Sequence, residues 1–287
     1  MGNQITKYDA AYAEYAEKYA SEERVSGGAS ISLRGGIMRL GEDEIEGNQI
    51  CVIVLDSVKE NAYYDTPWDV DQPSLPPTCF ALGRSAEEMR PPEEIYESEY
   101  FEVQSEDCAS CPMNEWGSGR GKGKACGNRR RLALLAAGVF VPRKGSRDFD
   151  LELFEDPKDF SEGDLAFMKL PVTSAKNWSK YVNSLASSLR RPPFGVITRI
   201  SVQPDTDTQF KVHFELVEEV SEDLFDIIMD RHAAACKELE RPYEEPAEED
   251  LQRPTVKASK GIKGLKKSKK SSKPSRKRSK FEVSDED

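Results

Sequence analysis

The chain holds 287 residues but only two histidines, His213 and His232. Neither has a second histidine near it in sequence, so each reads as structural rather than as a metal ligand. Long apolar runs are also missing: none approaches the roughly 20 residues that a membrane span needs. The basic-then-apolar pattern of a signal peptide is absent. Met1, Gly2 and Thr6 fit the myristoylation pattern, but no polybasic partner or second lipid site lies nearby. No fixed-period repeat occurs, which excludes solenoids and propellers. Lys122 and Lys124 are followed by Gly and Ala where a P-loop requires Lys-Ser or Lys-Thr, which argues against a nucleotidase. These gaps leave little for an enzyme, and the chain reads as non-enzymatic.

Six cysteines are present. Without a secretory signal they imply reduced thiols in a cytoplasmic setting, where Cys-x-x-Cys signals metal or redox chemistry more often than a disulfide. Cys51 and Cys236 lie in apolar segments and read as small core residues. The other four have metal-ligand spacing, with 28 residues between Cys79 and Cys108, two between Cys108 and Cys111, and 14 between Cys111 and Cys126. Four thiolates close a tetrahedron around Zn²⁺, and such a site staples a loop that has little core of its own. A [4Fe–4S] cluster takes the same ligands and is the alternative. Four thiolates leave no open position, so this site is expected to be structural.

Charge divides the chain. The net charge is −11, with 41 basic and 52 acidic residues. Residues 253–280 carry 13 Lys/Arg and no acid, and the last seven residues carry four acids, so residues 1–252 keep 28 basic and 48 acidic residues, a net of −20. The basic tail, which includes Lys266, Lys267, Lys269 and Lys270, reads as a nucleic-acid arm, a localisation signal or a solubilising segment. Its acidic tip is suited to folding back on a basic groove or to recruiting basic partners. An apolar fraction of 37% against 32% charged fits a modest core with disordered ends.

Three regions follow: an N-terminal helix over 1–26, a body over 27–240 with a four-cysteine insertion at 79–126, and a disordered tail over 241–287. In the first, Tyr8, Tyr12, Tyr15 and Tyr19 share one helical stripe, suited to docking. In the body, Ala29–Leu40 predicts a hairpin around Gly35-Gly36, and Ile50–Leu55 a central strand. Arg131–Val141 and Leu165–Val172 predict further strands. Residues 142–163 read as irregular. A helix capped by Thr173 or Ser174 carries Trp178, Tyr181, Val182, Leu185 and Leu189 on one stripe. A hairpin over 196–217 and a helix over 222–240 complete the body. The fold class is mainly β with α, and this element order fits an OB-like antiparallel barrel, with a β-sandwich as second choice.

On the insertion, Trp116, Lys122, Lys124 and Arg129, Arg130 and Arg131 gather cations and an aromatic on an otherwise acidic body. Glycines 117, 119, 121 and 123 would let backbone N–H groups approach phosphate. Tyr63 and Tyr64, with Trp68, follow the central strand, either as packing or as stacking platforms for bases.

The elements Asn61-Ala-Tyr-Tyr64, Pro77-Thr-Cys-Phe80, Cys108-Ala-Ser-Cys-Pro-Met-Asn-Glu-Trp-Gly-Ser118, Gly121-Lys-Gly-Lys-Ala-Cys126, Arg130-Arg-Leu-Ala133 and Leu170-Pro-Val-Thr-Ser174 resemble a family of largely uncharacterised bacteriophage proteins. The resemblance spans about residues 27–220 and implies a phage-encoded protein of the infected host's cytoplasm. The acidic tip is similar in style to that of phage single-stranded DNA-binding proteins, without their terminal Phe. The leading expectation is therefore a single-stranded DNA-binding protein of phage replication or recombination. It would meet replication or recombination partners through the acidic tip. A protein-binding regulator, for example of RNA polymerase, docking through the cysteine loop is the second expectation. A zinc or iron–sulfur enzyme is the third, disfavoured by the lack of a histidine–carboxylate cluster.

Overall fold

The computed structural model describes residues 29–66, 75–146 and 148–246. The tyrosine-striped N-terminal helix, Trp68, the lysine tail and the acidic tip lie outside the described residues.

Two long strands form the centre. β4 (Gln49–Tyr63) and β6 (Gly127–Pro142) pair antiparallel from Cys51↔Gly138 to Ala62↔Gly127. Their middles, Ile50–Leu55 and Leu132–Ala137, are nearly all apolar because both faces are covered. Around them stand β1 (Ala29–Ser32), β2 (Arg39–Leu40), β3 (Asp43–Glu44), β5 (Cys79–Gly83), β7 (Phe149–Leu153), β8 (Leu165–Leu170), β9 (Val196–Asp205) and β10 (Gln209–Glu219). The order is β10-β9-β4-β6-β8-β1-β2-β3, with β5 on β4 and β7 on β6. Because β1 runs parallel to β8, the sheet is mixed.

The result is mainly β with helices, as expected, but the sheet is open rather than a closed OB-like barrel. Among the described residues β10 and β3, the two ends of the order, do not pair. Helices cover both faces. α2 (Val172–Ser188) buries Trp178, Tyr181 and Leu185 against Val52, Val54, Leu132, Leu134 and Ile200 on one side. On the other, α1 (Pro157–Ser161) and α3 (Phe225–Leu239) bury Phe160, Ile228, Ala235 and Leu239 against Ile53, Leu55, Val58, Ala133 and Leu135. A sheet apolar on both faces needs a helical layer on each, which a barrel interior does not provide.

Most expected elements occur. The first hairpin is present as β1 and β2 joined through a turn over Arg34–Gly36, and the 196–217 hairpin as β9 and β10. The helix before Arg190 begins earlier than expected, at Val172, with Pro171 rather than Thr173 or Ser174 in the capping position. Ser174, one of the two expected caps, instead accepts a buried hydrogen bond from the backbone N–H of Val212 at 2.9 Å, tying α2 to β10. The segment expected to be irregular contains β7 and α1. In β7 the apolar and acidic residues alternate, Phe-Asp-Leu-Glu-Leu, which is an edge-strand pattern. α1 is capped by Asp156, whose side chain accepts from the backbone N–H of Lys158 at 2.9 Å.

Leu134 is fully buried between β4, β8 and α2, whereas Val139, five residues along the same strand, is exposed. Leu134→Ala should cost about 2–5 kcal/mol, and Val139→Ala less than about 0.5 kcal/mol. Urea titration monitored by circular dichroism checks both.

Candidate functional site

The four cysteines of the metal spacing come together at one end of the central strands. Cys79 opens β5, opposite Tyr63, and Cys126 directly precedes β6. Cys108 and Cys111 bracket a turn that leads into a short 3-10 turn over Pro112–Asn114. All four line a cavity of about 10 Å³, together with Asn61 and Tyr63. That is the space of roughly one water-sized sphere. Burial pushes the Cys79 and Cys108 thiols up, with neighbouring cysteines adding to it, and pushes Cys126 up to about 12. Cys79, Cys108 and Cys126 thus resist ionisation inside one small cavity, where a cation would balance the charge of thiolates.

Backbone hydrogen bonds lock the knuckle between the second and fourth cysteines. The N–H of Cys126 donates to Met113 O at 2.8 Å, and the N–H groups of Gly117 and Gly119 both donate to Gly123 O, at 2.9 and 3.0 Å. Glycine is required at 119, where a Cβ would stand 2.6 Å from Lys124 O. Two of the N–H groups expected to face phosphate are therefore spent inside the loop. The side chains are what the knuckle presents. Trp116 is 79% exposed, and Lys124 Nζ lies 5.5 Å from its ring centroid while donating to Asn114 Oδ1 at 3.1 Å. Lys122 is exposed, as is Arg120, which had not been singled out as a site residue.

The arginine triplet does not form one patch. It lies in β6, where side chains alternate between faces. Arg129 is exposed. Arg130 points to the α2 side and donates to Ser57 Oγ at 3.1 Å. Arg131 points to the α3 side and is consumed there. It pairs with the fully buried Glu60, donates to the carbonyls of Leu239 and Arg241 at 3.3 and 3.1 Å, and lies 4.7 Å from the ring centroid of Tyr243. Lys169 approaches Glu60 from β8 at 3.5 Å and caps the same ring at 4.6 Å. Arg131 is thus a core cation. Tyr63 turns to the cysteine cavity, and Tyr64, at 39% exposure, is the more open of the pair.

A second constellation was not anticipated. Asp56, His232 and Cys236 bring three potential ligand atoms within 4.8 Å of one another, and this set can hold a metal ion. His232 and Cys236, read from sequence as structural, lie one turn apart on α3 and so share a face. Their carboxylate partner is 176 residues from His232 and 180 from Cys236 in sequence, and no spacing rule connects it to them. Cys236 donates to Asp56 Oδ2 at 3.1 Å. Burial and the Asp56 carboxylate together push its thiol up.

No protein-family model, curated protein or solved structure matches this chain.

Glu60 gives a pH test. Burial pushes its carboxyl up, but Arg131 and Lys169 outweigh that and hold it below its ordinary value of 4.5. A depressed folded value means that the stabilisation is complete above 4.5 and is lost as pH falls below it. Glu60→Gln leaves Arg131 buried without its partner and should cost about 3–5 kcal/mol at pH 7. The deficit should shrink as pH falls below 4.5, which urea titrations of both proteins at pH 7 and pH 3.5 would show.

Proposed function

We propose that this protein binds single-stranded DNA, largely without sequence preference, in phage replication or recombination, and that it does so without catalysing a reaction. The observation that carries this reading is Trp116, an indole 79% exposed with a lysine ammonium beside it on a hydrogen-bonded knuckle. Every base has a π-face, so an exposed aromatic beside cations holds a strand whatever its sequence. Lys122, Lys124 and Arg129 supply charge to the phosphates, and Tyr64 offers a second ring. The lysine tail adds salt-dependent affinity, and the acidic tip binds replication or recombination partners. An OB-like barrel is not needed, because the stacking residue sits on the knuckle rather than in a barrel groove.

In the same reading Cys79, Cys108, Cys111 and Cys126 hold Zn²⁺ as a closed, structural site, with a [4Fe–4S] cluster as the alternative. The ion fixes the position of Trp116 and carries no chemistry. Purified protein should contain zinc bound through these cysteines and lack visible absorption. A brown protein with bound iron would select the cluster instead. Among the described residues no helix is long and apolar enough to cross a membrane; the proposed site of action is the cytoplasm of the infected cell.

The acidity of residues 1–252, net −20, favours a second reading, a regulator that docks on a basic protein such as RNA polymerase. Recovery of polymerase in a pull-down that survives nuclease treatment would select it.

Fluorescence anisotropy with a labelled oligothymidylate tests the leading proposal. Trp116→Ala should raise Kd by about 5- to 150-fold, corresponding to the 1–3 kcal/mol of one stacked base. Lys122→Ala should weaken binding less and reduce its salt dependence. Equal affinity for duplex, or no binding at low salt, would overturn it.

A further inference from the structure

β4 carries a gap in its pairing. One edge is occupied by β6. Along the other edge β9 pairs with Gln49–Val52 and β5 with Lys59–Tyr63. Between them the stretch 53–58 has no strand beside it among the described residues. The same stretch holds a bulge: Val54 faces Leu134 and Asp56 faces Ala133, so Leu55 is an extra residue. Cys51, Ile53 and Leu55 pack on the α3 side, and after the bulge so does Val58. The extra residue thus reverses the alternation and turns Asp56 toward α3. A bulge that re-aims one polar side chain beside a break in a sheet is a recurrent feature of ligand sites.

A cavity of about 390 Å³ opens at this gap, and Asp56, Ser57, Arg130, Ser179, Asn183 and His232 contribute its polar wall. Cys236 Sγ stands 3.1 Å from Asp56 Oδ2 and 3.8 Å from the His232 ring nitrogens. Zinc bonds of about 2.0–2.3 Å in a tetrahedron imply ligand–ligand edges of about 3.5 Å, which these separations bracket. The carboxylate is already oriented. Arg84 Nη1 spans both carboxylate oxygens, 2.9 Å from Asp56 Oδ1 and 2.8 Å from Oδ2, the Ser57 N–H donates to Oδ1 at 2.7 Å, and Glu240 holds the Arg84 guanidinium at 2.7 Å. Metal-binding carboxylates are commonly fixed by such outer partners. The His232 ring packs against Phe194 at a tilt of 56°, with the centroids 4.7 Å apart, which limits its rotation. Across the cavity the half-buried Arg130 guanidinium makes no ion pair within 4 Å among the described residues; its partner is the neutral Ser57 hydroxyl.

We propose that Asp56, His232 and Cys236 bind one Zn²⁺ with its fourth position open to the cavity in the sheet gap, where it takes an oxygen of a small oxyanion that Arg130 also holds. On binding, the ion replaces the proton that Cys236 now donates to Asp56, and that proton leaves to solvent. One Cys, one His and one Asp form a borderline donor set suited to zinc, and three protein ligands with a free position distinguish this centre from a closed four-thiolate one. Arg130 supplies a planar fork of donors for the oxyanion.

The test is metal content and spectroscopy on the full-length chain, with Cys236→Ser, His232→Gln and Arg130→Gln. Folding of each is verified by circular dichroism. Cys236→Ser and His232→Gln should each lose one equivalent of zinc relative to wild type. Cys108→Ser should leave that equivalent in place, which separates this centre from the cysteine knuckle. In Co²⁺-loaded wild type, inorganic phosphate should shift the visible d–d bands, and Arg130→Gln should raise the phosphate concentration required by at least about tenfold, as expected for losing a charged hydrogen-bond donor. Unchanged zinc content in both folded ligand variants would overturn the metal site. Cobalt bands insensitive to phosphate would overturn the open, anion-binding position.

Discussion

The antiparallel pairing of β4 with β6 is the constraint on which the remaining structure depends. These two strands are the longest in the sheet, and their middles are buried on both faces. Two-sided burial fixes the register, because a slip of one residue would send every side chain to the opposite helical layer. At one end the pair brings Tyr63, Cys79 and Cys126 to the same place, and the cysteine knuckle hangs from that point. At the other end, β7 pairs with Gly138–Pro142 of β6 and leads into α1. Even the interruption in the pattern, the extra Leu55, is defined by β6, since only a partner in register makes a residue supernumerary.

The same pairing separates charges that sequence places side by side. Arg129, Arg130 and Arg131 are consecutive, yet one is at the surface, one reaches the cavity beside α2 and one is locked to a buried carboxylate. Glu60 is expensive to bury, and Arg131, Lys169 and the Tyr243 ring surround it so that its charge is compensated. Through Tyr243, which also packs on Phe80, the segment after α3 is held against the cysteine region. The route from the end of the body to the knuckle therefore runs through a network of buried charge.

Much of the architecture was legible in the sequence because it has local causes. The β-branched run at 50–55, the Trp178, Tyr181 and Leu185 stripe, and the two hairpins are periodic patterns that each element displays alone. The four-cysteine set was legible for a similar reason: ligand spacing around Cys108 and Cys111 is a short-range signal, and only the convergence of Cys79 required the fold. β7 was missed because its alternating acids resemble a charged loop, and the closed barrel was expected because strand order does not reveal whether both faces carry helices. The glycine run suggested a phosphate cradle, but its N–H groups close the loop on itself.

By itself the sequence determined most of the elements, the acidic body with its basic tail, and the spacing of the cysteines in the loop, all of which depend on residues near one another in the chain. Only the tertiary structure decided which of those residues remain available. It joined Asp56 to His232 and Cys236 across 176 and 180 positions, removed Arg131 from the surface and left Trp116 on it. The physical reason is that a side chain's direction in a sheet depends on the partner strand and its bulges, and its availability depends on what packs against it. Neither quantity is written in the local pattern that specifies a strand or a helix.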